Sequence, residues 1–116
     1  MAKIERELYG DFEDILAEFH CAIMDGSISA SFEDGTDFET SNMRCAVRVY
    51  ERYSAFGGNR VSLTFTLVES NGRIFFTAIT AGGSQAVFFK FDTVGEETFL
   101  STIEWVVEMY SKDKGL

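Results

Sequence analysis

The sequence predicts an α+β fold: a single curved antiparallel sheet of about six strands, in the order β-α-β-β-β-β-β-α, with two helices on one face and one domain over residues 1–116. Three observations carry this. Asn71-Gly72, set between two apolar-rich runs, marks a type I′ hairpin, because that turn needs positive φ at both central residues. From Met43 to Asp92, four segments alternate apolar and polar residues and are separated by glycine-bearing turns. A stretch with helical spacing stands on either side of this meander.

Lys3 to Tyr9 places Ile4, Arg6 and Leu8 on one side of a first strand, and Gly10 ends it. Asp11 is positioned to cap a helix whose apolar residues Phe12, Ile15, Leu16, Phe19, Ala22 and Ile23 share one face, with Gly26 as its stop. Cys21 falls on the opposite face with Glu13, Asp14, Ala17 and Asp25. Ser27 to Phe32 reads as a second strand, and Glu33 to Asn42 as a loop or ragged hairpin connection.

The run Arg44 to Tyr53 alternates cleanly, and a loop from Ser54 to Gly58 would set Val49 facing Leu63 and Val47 facing Phe65. Arg44, Arg48, Tyr50 and Arg52 then lie on the outer face beside Ser62, Thr64 and Thr66, and Cys45 is buried. The Asn71-Gly72 turn pairs Leu67 with Phe76, Phe65 with Ala78 and Leu63 with Thr80 on the core face. It pairs Val68 with Phe75, Thr66 with Thr77 and Thr64 with Ile79 on the other. Gly82-Gly83 reads as another hairpin, bringing Val87 beside Ala78 and Phe89 beside Phe76. Thr93 or Gly95 opens the last helix, with Glu96 and Glu97 in its first turn. Its stripe is Phe99, Ile103, Val106 and Tyr110, widened by Leu100 and Val107, with Trp105 and Met109 on the flank.

The element order resembles the TATA-binding-protein-like and helix-grip group, in which a curved sheet wraps a long C-terminal helix. In detail, the run Arg44-Cys-Ala-Val-Arg-Val-Tyr-Glu-Arg-Tyr53 with Gly82-Gly-Ser-Gln-Ala-Val-Phe-Phe-Lys90 is similar to a family of small, functionally uncharacterised bacterial domains. That resemblance implies a bacterial cytoplasmic protein and brings no catalytic residues with it.

Composition narrows the function classes. No apolar run approaches the roughly 18 to 20 residues of a membrane span, and Lys3, Glu5, Arg6 and Glu7 interrupt the place of a signal sequence, so a cytoplasmic protein without membrane contact is expected. Two cysteines and one histidine make neither a disulfide framework nor a zinc site, and neither a metal nor a cofactor is expected. The net charge is −9, and the region from Met43 to Asp92 holds six basic and three acidic residues against four and sixteen elsewhere. An acidic periphery repels polyanions, which counts against nucleic acid as a partner.

Two surfaces stand out. Arg44, Arg48, Tyr50 and Arg52 on one strand face could bind a carboxylate or phosphate, although period-two charge on a sheet is more often simply solvated. Val68, Phe75, Ile79 and Phe88 on the same face would be left uncovered by two helices on the other side. The expectation is a non-enzymatic interaction or small-ligand-binding module, homodimeric sheet to sheet with the arginines at its rim. The alternative is a metal-free enzyme taking an anionic substrate at the arginine-lined face. A small anionic or apolar ligand is a further possible occupant, though the aromatic core is expected to be filled. His20 and Cys21 point about 100° apart on their helix and form no nucleophile pair. Glu33, Asp34, Asp37 and Glu39 fail the EF-hand spacing, and neither glycine pair opens a helix as a phosphate loop does.

Overall fold

Five strands form one antiparallel sheet in the computed structural model, which describes residues 2–53, 60–82 and 99–112. In chain order the elements are β1 (Ala2–Leu8), α1 (Phe12–Asp25), β2 (Ser31–Glu39), β3 (Met43–Tyr53), β4 (Arg60–Ser70), β5 (Arg73–Gly82) and α2 (Glu104–Tyr110). The spatial order across the sheet is β1-β5-β4-β3-β2. The α+β class is as predicted, with five strands described where about six were expected.

The β4–β5 hairpin forms as the sequence predicts. Asn71 and Gly72 both take positive φ, 54° and 76°, and Ser70 pairs with Arg73. That register turns Val61, Leu63, Phe65 and Leu67 of β4 and Ile74, Phe76 and Ala78 of β5 into the core. Asp11 caps α1, its carboxylate accepting from the Asp14 backbone N–H at 3.0 Å. The buried stripe Phe12, Ile15, Phe19, Ala22 and Ile23 lies on the sheet, where the Phe19 ring stacks on Phe76 at 4.1 Å and meets Phe65 at 5.5 Å. Phe99 and Leu100 from the helical residues 99–101, Ile103 from the turn at 102–103 that interrupts the expected single helix, and Val106 and Val107 of α2 complete the same core. Both helices therefore occupy one side of the sheet.

Three expectations are overturned. Residues 33–39, read as a loop or ragged hairpin connection, form most of a regular strand, β2, paired with β3, and Ser27 to Ala30 is a turn in which Ile28 is fully exposed. Its place at the end of the sheet explains this: among the described residues β2 pairs with β3 alone, its charged side chains stay in water, and a bulge between Phe32 and Asp34 absorbs the irregularity. The free side of β5, where Gly82-Gly83 was expected to return a strand, is taken by β1. Ala78 pairs with Ile4 and Phe76 with Arg6, so β1 holds that side. A turn signal reports only what is near in sequence, whereas β1 brings Ile4 and Leu8 at matching period from more than sixty residues away. The predicted strand around Val87 to Phe89, Phe88 itself, the Ser54–Gly58 loop and the helix start near Thr93 lie outside the described residues.

The third correction concerns β3. Tyr50 pairs with Leu63 and Arg48 with Phe65, one residue out of the expected register. Arg44, Arg48, Tyr50 and Arg52 therefore face the helices, on the opposite side from Ser62, Thr64 and Thr66. Cys45, expected in the core, sits half-buried on the outer face with Val47 and Val49. The arginines tolerate the inner side because their carbon stems pack while their heads find partners. The Arg44 guanidinium lies over the Phe12 ring at 4.3 Å and that of Arg52 over Phe99 at 4.6 Å.

Candidate functional site: the open sheet face

On the outer face, cross-strand pairing lines side chains into rows. One runs Phe38, Cys45, Val68, Phe75, Glu7; the next Thr36, Val47, Thr66, Thr77, Glu5; the third Asp34, Val49, Thr64, Ile79, Lys3. The middle of this face is thus built from Val47, Val49, Val68, Phe75 and Ile79 with threonines between them. Phe75 is 42% and Ile79 38% exposed, and Phe38 at the β2 edge is 58% exposed. β-Branched and aromatic residues favour the pleated backbone, which accounts for their presence in strands but not for the exposure of Phe75 and Ile79.

Ion pairs bound the apolar centre. At one end Arg60 lies 2.6 Å from Glu51 and 5.7 Å from the Tyr53 ring. At the other, Arg73 holds Glu7 through two bonds, Nε donating at 3.0 Å and Nη2 at 2.9 Å, and stands over Phe75 at 5.0 Å. The hydrogen bonds and charge of this pair lower the Glu7 carboxyl below the usual range and raise Arg73. Arg44, Arg48 and Arg52, expected at the rim of this face, lie on the other side of the sheet. Arg60 and Arg73 occupy the rim, and their signal was position: each is the first residue of its strand.

The row expected to bind an anion is organised differently. Arg44 pairs with Glu13 of α1 and lies 3.8 Å from Glu39, and its guanidinium is held protonated by Glu13. Arg48 donates to Asp37 at 3.0 Å and to the carbonyls of Val47 and Thr36 at 3.0 and 3.2 Å. Both line a cleft of about 280 Å³ between α1 and the β2–β3 edge, together with Glu13, Asp37 and Glu39. Two guanidinium groups face three carboxylates across this cleft, so its described charged groups sum to a net negative charge. Tyr50 is fully buried, and burial pushes its phenol up to about 12. Its hydroxyl lies 2.8 Å from Nδ1 of His20, a partnership across α1 and β3 that the expected register had hidden.

Of the residues singled out beforehand, Val68, Phe75 and Ile79 share the outer face, and Arg44, Arg48, Tyr50 and Arg52 share the inner one. A family of unknown function matches residues 1–111. The chain belongs to that family, DUF6054. The match takes in every described strand and both helices, so the open face and the rim pairs lie within the family's own domain. No curated protein matches the chain. Among the described residues, no helix is long and apolar enough to cross a membrane, and no group of three or more His, Cys, Asp or Glu side chains is placed to hold a metal ion.

Proposed function

We propose that this member of the family is a non-enzymatic interaction module of the bacterial cytoplasm that pairs with a second copy of itself through the outer face of its sheet. The observation that carries the reading is the apolar centre Val47, Val49, Val68, Phe75 and Ile79 enclosed by the rim pairs Arg60–Glu51 and Arg73–Glu7. Stable interfaces have this arrangement, with a desolvated centre and a polar margin. Size supports it too. Five strands about 4.8 Å apart and about ten residues long present roughly 600 Å², near the ~800 Å² per partner of a standard interface. Two such sheets pack face to face about 10 Å apart, and a two-fold axis lets each rim arginine meet the partner's rim carboxylates.

Light scattering at about 50 µM should return the mass of a dimer. Ile79→Lys, which places a charge in the centre of the face without touching the core, should return a monomer with unchanged circular dichroism. A wild-type monomer at that concentration would end the proposal.

A further inference from the structure

The second surface is the groove between the two helices, on the far side of the molecule from the open sheet face. α1 and α2 run antiparallel and close on each other at both ends. At Gly26 an added Cβ would lie 2.8 Å from Cβ of Thr102, and at Gly10 one would lie 3.1 Å from the Tyr110 ring. Tyr9 N–H also donates to the Tyr110 carbonyl at 2.8 Å. Between these pinch points α1 presents the small side chains of Ala17 and Cys21, and the helices leave a trough. It consists of two hollows of about 410 and 360 Å³ that share Glu18 and Cys21.

The walls of the trough have a definite chemistry. Asp14, Glu18 and Asp25 line it from α1, and Tyr110 and Trp105 from α2; among the described residues no lysine, arginine or histidine lines it. Trp105 is 54% exposed, and Met109 beside it 37%. The acids reach the aromatic wall: after burial itself, Glu18, Asp14 and Asp11 are what raise the Tyr110 phenol. Tryptophan and tyrosine faces attract cations, and carboxylates within the same trough add to that attraction. Trp and Tyr are also the residues that most often anchor an interface.

We propose that this trough docks a basic amphipathic segment of a partner protein, an aliphatic side chain lying along Trp105 and a lysine or arginine head reaching Glu18. Charge complementarity selects that occupant. A second copy of the chain, at net −9, would bring more acid to an acidic wall. Self-association through the sheet leaves the trough open, so the two surfaces act independently.

The test uses the full chain and its single tryptophan. A synthetic 14-residue peptide of lysine and leucine at helical spacing should shift Trp105 emission saturably, with a dissociation constant on the order of micromolar. Glu18→Lys should weaken binding at least about tenfold, whereas Glu39→Lys, the same charge change at the β2 edge, should alter it by no more than about twofold. Trp105→Ala, followed by calorimetry, should lose most of the binding and keep the dimer. Equal weakening by the two reversals would show diffuse attraction and overturn the proposal. So would an equal response to 1,5-diaminopentane, which would mark a small-amine site, or dissociation of the dimer by Trp105→Ala, which would make the second copy the occupant.

Discussion

Tyr50 of β3 reaches past the edge of α1 to place its hydroxyl 2.8 Å from Nδ1 of His20, while the Phe32 ring stands edge-on to both side chains at 5.5 and 6.0 Å. This contact ties the first helix to β3 and marks which side of that strand is the inside.

The same contact predicts an alkaline limit. Burial raises the Tyr50 phenol to about 12 from an ordinary value of 10, so the folded chain holds this proton more tightly than the unfolded one. The stabilisation is complete below pH 10 and is lost as pH rises through about 12. Tyr50→Phe should cost about 0.5–1.5 kcal/mol at neutral pH, through the lost hydrogen bond, and should flatten the alkaline fall. Urea titrations from pH 8 upward check both arms; an unchanged slope in the variant would remove Tyr50 as the cause.

Phe19 should be the most expensive single truncation in α1. Its ring is fully buried, stacked on Phe76 and against Phe65, and little around it can collapse into the space. Phe19→Ala is expected to cost about 3–5 kcal/mol. Equilibrium unfolding in urea measures it, and Phe19→Leu should recover much of the loss.

Gly35 on β2 has a clearer role than its exposure suggests. A Cβ there would lie 2.9 Å from the Val47 carbonyl oxygen and 2.8 Å from Cδ of Arg48. The arginine stem can swing aside; the carbonyl belongs to the β2–β3 pairing and cannot. Gly35→Ala should destabilise by about 1–3 kcal/mol and speed hydrogen exchange of β2 amides ahead of those in β4.

How much of this was legible beforehand follows from the range of each signal. Asn71-Gly72 dictates its own backbone, and a two-residue loop leaves no freedom in register, so the β4–β5 pairs could be written down from sequence. Asp11 and the α1 stripe were equally local. β3 offered no such anchor. Cys45, Val47 and Val49 are as apolar as Ala46 and Tyr50 opposite them, and arginines at 44, 48 and 52 read as a wet face. The guanidinium groups of Arg44 and Arg52 lie instead over Phe12 and Phe99, Arg44 pairs with Glu13 and Arg48 with Asp37, and those contacts exist only once β2, α1 and the chain before α2 have been laid in place. The pairing of β1 with β5 was hidden for the same reason. The trough between the helices needed Gly10 and Gly26 to be seen as points of contact, which a helical wheel does not reveal.

Methyl-resolved NMR on a dilution series tests the central claim most directly, since it asks which side of the sheet meets another molecule. Val47, Val49, Val68 and Ile79 methyl resonances should move with protein concentration, while those of Ile15 and Ile23 under α1 stay fixed. Outer-face methyls that hold still across the series, or movement confined to the helical side, would contradict it.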